Sequence, residues 1–240
     1  MFDMEDSLWW YRGIRLYFEQ AIERTDLRED ATVLDAGCGT GANVVFLSNL
    51  FPRTFGFDLA KEAVALCTNR GLKRVLVADV NRLPFRGDSF DCVLCSDVFE
   101  CSEVDERLAI SELAKVTKIG GRIILSVPAY QFLMSDHDRA IHSVRRYTKR
   151  RARRALSASR LEIVSMHYLF GFFLLPIVIY RLLKRLVKGP EAANPPRSDV
   201  FLPPRFINRA LFGIVRMEAA LSRFGHLPFG TTLLVEMRRI

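Results

Sequence analysis

"VLDAGCGTGAN" (Val33–Asn43) sets Gly37, Gly39 and Gly41 on alternate positions directly after a short apolar run. Glycine weakens regular structure, so three this close predict a turn that needs left-handed conformations or close approach to the backbone. The residues before them, "ATVLDA" from Ala31, read as a buried strand. Gly41–Phe51 reads as a helix stopped before Pro52. Strand, turn and helix in that order place the turn at a strand's carboxyl end, where open α/β sheets bind their ligands.

The same alternation runs outward from this stretch. "TFGFDL" is a second strand, followed by a helix over Ala60–Arg70 with Gly71 as its stop. "RVLVAD" and "FDCVLCSDV" are the third and fourth strands, and a helix over Val104–Lys118 ends at Gly120 and Gly121. "RIILSVPA" is the fifth strand. "TKRRARRALSAS" is a helix capped by Thr148, "LEIVSMHY" a sixth strand and "GTTLLVEMRR" a seventh. Short β-branched runs alternating with helices predict an α/β fold, with a doubly wound, mostly parallel seven-stranded sheet covered on both faces. Between strands six and seven, residues 169–227 predict a helical cap. Within it "GPEAANPPRSDVFLPP" holds five prolines in sixteen residues and reads as a mobile loop. Residues 1–30 read as a helical lid, and 1–240 as a single domain.

With 240 residues, half of them hydrophobic, the chain can bury a real core. Its formal net charge of +8 and pI near 9.5 suit an anionic partner: nucleic acid, a membrane surface or a phosphorylated substrate. The five cysteines lack disulfide-framework spacing. Cys92 and Cys95, three apart on a strand, point to opposite faces, so all five read as reduced thiols of a cytoplasmic protein. The acidic start "MFDMEDSLWW" is not a signal peptide. The glycine spacing G-x-G-x-G departs from the G-x-G-x-x-G of dinucleotide sites, which disfavours a nicotinamide oxidoreductase.

Four segments in order resemble the class I S-adenosylmethionine-dependent methyltransferases, in particular the type 11 group, over about Ala31–Pro128. "VLDAGCGTG" resembles the first motif, "GFDLA" the second, "VADVNRLPF" the third and "FDCVLCSDVFEC" the fourth; "GGRIILSVP" resembles the fifth strand. The resemblance implies a Rossmann-like methyltransferase fold with S-adenosyl-L-methionine as methyl donor. It implies that Gly37, Gly39 and Gly41 pass beneath the donor and that Asp35 orients the turn or meets the donor's ammonium group. Asp58, with Leu59 beside it, would accept from the ribose diol. Asp79 and the Val80 backbone would meet the adenine, and Ser96 and Asp97 would lie by the methionine part. Where many type 11 members have a histidine after the glutamate of the fourth motif, Cys101 follows Glu100. Asn-Pro-Pro-Tyr is absent, which argues against adenine methylation in DNA.

The acceptor is expected beyond strand five. There "MSDHDRAIHSVRRYTKRRARR" holds His137 and His142, candidates for taking a proton from an acceptor. Arg145, Arg146 and Tyr147 are candidates for gripping an acidic group on it. Near the start, Tyr11 and Arg12 in "LWWYRGIRLYF" are candidate donor or acceptor contacts. No metal site is expected, since no thiolate accompanies the two histidines. The expected acceptor is therefore a small or lipid-linked anionic molecule. The alternative is a nucleic-acid-binding protein or RNA methyltransferase using the seven basic residues of Arg145–Arg154 on phosphates, although Tyr147 is the one aromatic residue among them and none interleaves with the arginines of 150–154.

The cap's "YLFGFFLLPIVIYRLLKRLVK" has an uncharged run of thirteen residues, Tyr168–Tyr180, and spanning a bilayer takes ~20. Arg181, Lys184, Arg185 and Lys188 fall on one helical face and Leu182, Leu183, Leu186 and Val187 away from it. That pattern suits a helix lying on an anionic membrane, and equally one packed on protein. Packing or dimerisation is the favoured expectation for 168–188, ahead of peripheral membrane contact. The sequence leaves oligomeric state open.

Overall fold

The computed structural model describes residues 4–157, 159–188 and 202–240, with side chains omitted for 184–188. The expected proline loop falls almost wholly outside the described residues, as do the side chains of Lys184, Arg185 and Lys188.

One seven-stranded sheet organises the chain. Its strands are β1 (Thr32–Ala36), β2 (Arg53–Asp58), β3 (Val75–Val77), β4 (Phe90–Ser96), β5 (Thr117–Pro128), β6 (Leu161–Leu169) and β7 (Thr232–Arg239). They lie in the order β3-β2-β1-β4-β5-β7-β6. The first five pair in parallel, and β7 enters antiparallel between β5 and β6. The strand order reverses beside β1, so its carboxyl end and that of β4 open onto the switch point where such sheets hold ligands.

Helices cover both faces. They are α1 (Trp9–Glu23), α2 (Ala42–Ser48), α3 (Lys61–Asn69), α4 (Glu106–Val116), α5 (Asp136–Ala140), α6 (Lys149–Leu156), α7 (Gly171–Lys188) and α8 (Arg205–Leu221). One face buries Leu34, Val93, Cys95, Ile123 and Val235 against α4 and α6, through Ile110, Leu113, Ala152 and Leu156. The other buries Val33, Cys92, Leu94, Ile124 and Leu234 against α1 and α8, through Phe18, Ala21, Val215 and Ala219. Cys92 and Cys95 thus serve opposite cores, and all five cysteines are free.

Elements shift by up to a few residues from the sequence reading, and the two boundaries of α4 show why. The helix expected over Val104–Lys118 starts at Glu106, because the Asp105 carboxylate caps it, accepting from the N–H groups of Arg107 and Leu108. Gly120 and Gly121 do not end that helix. They lie inside β5, which begins at Thr117 opposite Phe90. A register shift follows, and Gly120 at φ 78° absorbs it. Thr148 does cap α6, accepting from the N–H of Arg151.

The described residues between β6 and β7 include two helices, of which α8 lies against the amino-terminal helix. It packs lengthwise on α1, with Asn208 bonding Trp9 and Ser7 at one end and Gln20 bonding the Ala219 carbonyl at the other. Gly13 permits this approach, since a Cβ there would stand 2.8 Å from Val215.

Candidate active site

The turn after β1 is built as its glycines demand. Gly37, Gly39 and Gly41 hold φ of 75°, 53° and 90°. The N–H groups of Gly37 and Cys38 donate to the Phe57 carbonyl of β2 at 2.9 and 2.8 Å. A Cβ on Gly39 would meet nothing within 4 Å, so that glycine borders open space. Asp58 ties the turn to the next unit. Its Oδ2 accepts from the Gly39 N–H at 2.8 Å and its Oδ1 from the Ala60 N–H at 2.9 Å, at the start of α3. Leu59 beside it is 54% exposed, an apolar ledge at the same edge. Asp79 shapes its own loop, accepting from the Asn81 N–H at 2.8 Å, and Val80 is buried.

Asp35 is fully buried on β1, and neither carboxylate oxygen has a hydrogen-bond partner. Burial, with the nearby Cys67 thiol and Asp58, raises its pKa well above the usual carboxylate range. A buried carboxyl in this condition calls for a cation or a donor.

The amino-terminal segment closes over this turn through residues the sequence reading missed. Buried Glu5 accepts from the Thr40 hydroxyl, lies 3.8 Å from Arg70 just past α3, and gives its carbonyl to Arg15 at 2.6 Å. Only three-dimensional closure makes this clamp; no local spacing announces it. Tyr11 follows Glu5 inward. Burial and the charges of Glu5 and Asp97 push its phenol upward, which places it between clamp and strand end. Arg12 does not share that site. It is exposed and stacks 3.9 Å over the Phe212 ring of α8.

At the end of β4, Ser96 accepts from the Ser126 hydroxyl at 2.9 Å and donates to Asp97 at 3.2 Å. Asp97 sits at φ 54°, and its N–H donates to the Ser126 carbonyl at 3.0 Å. Burial lifts its carboxyl to about 6, against the opposing pull of Ser96 and Arg146. Glu100, buried three residues later, is raised well above the usual carboxylate range by burial and by Asp97, and its Oε2 has no partner. Two protonatable carboxyls therefore stand together where the sequence offered histidines.

The loop beyond β5 supplies less than expected. The Arg145 guanidinium is held by the carbonyls of Val104 and Cys101, both at 3.0 Å. Arg146 pairs with buried Asp138 at 2.7 Å and donates to the Ala129 carbonyl at 3.0 Å. Tyr147 is 2% exposed, and its hydroxyl reaches the Phe99 carbonyl and Glu106 at 2.8 and 2.6 Å. These three residues brace the loop through the bonds above, while the buried Nε of Arg146 has no partner. His142 is exposed at φ 59° beside Glu103, with its carbonyl bonded to the Ser102 N–H. His137 is half-buried in α5, next to Asp138. An unexpected aromatic ledge stands nearby: Tyr130 stacks on Phe132 and Tyr168, with centroids at 5.4 and 5.1 Å.

A cavity of about 520 Å³ lies elsewhere, where the end of α1 meets β5, β6 and β7. Its lining includes Arg24, Arg122, His167, His226 and Glu236. It does not touch the glycine turn. No cluster able to hold a metal occurs among the described residues.

Residues 34–125 match the family model described as a methyltransferase domain. The chain is 34% identical over 108 residues to the probable tRNA methyltransferase 9B of Mus musculus, covering 44% of this chain and 24% of that one. It is 33% identical over 142 residues to the malonyl-[acyl-carrier protein] O-methyltransferase of Herminiimonas arsenicoxydans, covering 58% of this chain and 52% of that one. Among solved structures it superposes on the geranyl diphosphate C-methyltransferase of Streptomyces coelicolor, in complex with S-adenosyl-L-homocysteine. The TM-score is 0.59 at 19% identity, covering 95% of this chain and 80% of that one. The chain spans about a quarter to a half of the length of the first curated relatives it matches.

Proposed function

From the match of residues 34–125 to a methyltransferase domain, we propose an enzyme that transfers a methyl group from S-adenosylmethionine to a small or lipid-linked acceptor. The observation that carries the proposal is Asp58, tied at once to the turn after β1 and to the start of α3. Each of its oxygens accepts one backbone N–H and keeps lone-pair capacity for a diol.

The residues present fit the donor. A ligand ammonium would relieve the partnerless carboxyl of Asp35, and Gly39 leaves room for a chain passing over the turn. Asp79 and Val80 would meet the adenine, Leu59 would offer it an apolar surface, and Ser96 with Asp97 would border the methionine end. When bound, the donor supplies an electrophilic sulfonium methyl. The protein's own part is to position the acceptor, exclude water through the Glu5 clamp and receive a proton.

Asp97, raised to about 6, is the better proton acceptor of this site. His142 is exposed on the loop, and Arg145 and Arg146 already have partners. With Asp97 and Glu100 beside a single paired arginine, the reacting group is a hydroxyl or an amine that gives up a proton. Any anionic part of the acceptor binds away from these carboxyls.

Titration calorimetry with S-adenosylmethionine tests the reading. The wild type binds, and Asp58→Ala weakens binding by roughly 10- to 100-fold, the loss expected of about 1.5–3 kcal/mol for a hydrogen bond to a charged group. Absence of wild-type binding, or equal binding by the variant, refutes the donor site.

A further inference from the structure

α7 and α8 face the solvent in a way that helices on a water-facing shell do not. At about 100° per residue, Phe172, Leu175, Pro176, Ile179, Leu182 and Leu183 fall on one side of α7, and every one is exposed. Arg181 lies opposite them and is half-buried. A surface helix of a globular protein turns its apolar stripe inward; α7 packs Phe173 and Ile177 inward and carries a second apolar stripe outward.

α8 carries three stripes. Val215, Glu218 and Ala219 are buried toward α1. Phe206, Ile214, Met217 and Leu221 are exposed on the far side, Phe206 at 74%. Arg205, Arg209 and Arg216 run along one margin between the two, exposed and without an ion-pair partner among the described residues. Phe224, just past the helix, is 93% exposed. The two apolar stripes meet where Phe172 and Leu221 line one small cavity of about 70 Å³. Across the described residues of 171–230 the sole acid is Glu218, and it is buried.

We propose that this α7–α8 face docks on an anionic lipid bilayer, with its apolar side chains in the acyl boundary and its arginines among the headgroups. Apolar burial and cationic attraction act together in such binding. A free polyanion would use the arginines and leave the apolar stripes wet. A second copy of the chain would cover the apolar stripes but bring like-charged margins toward each other, which is unfavourable. The face lies on the surface rather than spanning, since no helix among the described residues is long and apolar enough to cross. The proposal stands independently of methyl transfer.

Flotation of the full chain with vesicles tests it, using phosphatidylcholine alone or mixed with phosphatidylglycerol. The wild type floats with the mixed vesicles, less with pure phosphatidylcholine, and less as salt rises. Phe206→Glu with Met217→Glu abolishes flotation on both. Arg209→Ala with Arg216→Ala weakens binding to the mixed vesicles roughly 25-fold, about fivefold per cation, and leaves the weak binding to phosphatidylcholine unchanged. All four side chains are exposed, so unchanged circular dichroism and melting are expected and separate docking from folding. No flotation with phosphatidylglycerol, or flotation indifferent to both variants, overturns the proposal. So does a dimer in sedimentation that Phe206→Glu with Met217→Glu splits while vesicles go unbound, which would make the face a contact between copies.

Discussion

Asp97 shows how far one residue's chemistry depends on where a strand happens to stop. Its left-handed backbone at the end of β4 suits an aspartate or asparagine. Burial there lifts the carboxyl to about 6 from an unfolded value of about 3.9. Between those values the folded protein holds a proton that the unfolded chain has released. Stability therefore falls as pH rises through this window, and the penalty is complete above it. Asp97→Asn removes the penalty: the variant is more stable than wild type at pH 8, by about 1–3 kcal/mol, and the gain disappears below the unfolded value. Thermal melts of both proteins across this range check it, and equal midpoints at pH 8 would refute the burial account. Methyl transfer by the wild type should rise through the same window. Asp58 and Asp79, the carboxylates proposed to meet the donor, were legible as positions because strand ends and motif spacing fix them locally. Arg145 and Arg146 were not. Their partners Cys101, Val104, Asp138 and Ala129 come from other loops, and nothing in "HSVRRYT" says that those carbonyls and that carboxylate need covering.

Among the elements, α7 hangs on one carboxylate. Glu218 of α8 accepts from the N–H groups of Gly171 and Phe172 at 2.9 and 3.1 Å and from the Tyr17 hydroxyl of α1 at 3.0 Å. A negative charge at a helix's first turn also opposes the helix dipole. Glu218→Ala leaves two buried donors and the part-buried Phe172 N–H unpartnered, and a loss of roughly 2–4 kcal/mol is expected in urea unfolding. Glu218→Gln should recover part of it, and an unshifted midpoint for the alanine variant would show that α7 is held otherwise. The elements themselves were readable because alternating apolar strands and capped helices carry their own period. β5 is the exception. Its early start at Thr117 is set by pairing with Phe90 across the sheet, which overrides the stop signal of Gly120 and Gly121. The outward stripe of α7 was visible as a pattern, but which side would face the protein was not; contact with α1 and α8 decides that.

For the molecule as a whole, the net charge of +8 does not by itself select a partner. α6 is half engaged, with Arg151 at 3.3 Å from Glu106 and over the Tyr147 ring, while Arg150, Arg153 and Arg154 are exposed. Three such cations predict weak, sequence-indifferent attraction to single-stranded RNA, with log affinity falling at a slope of about −2 against log salt. Filter binding at several salt concentrations, with and without donor, should show this slope and no effect of donor. Tight binding that persists in salt and responds to donor would make RNA the substrate. The sheet carries a different kind of consequence. The Thr231 N–H donates to the Leu169 carbonyl at 2.9 Å, and β6 runs antiparallel to β7 from that point. Topologically the pair is a hairpin whose turn has been opened to admit two helices. Once the mouth of such an opening is fixed, doubling the enclosed chain adds only about 0.6 kcal/mol of closure entropy. Over evolutionary time the stretch between Leu169 and Thr231 can lengthen, shorten or be exchanged while the donor-binding half of the sheet stays as it is, so one catalytic frame can be refitted to new surroundings by rewriting a single turn.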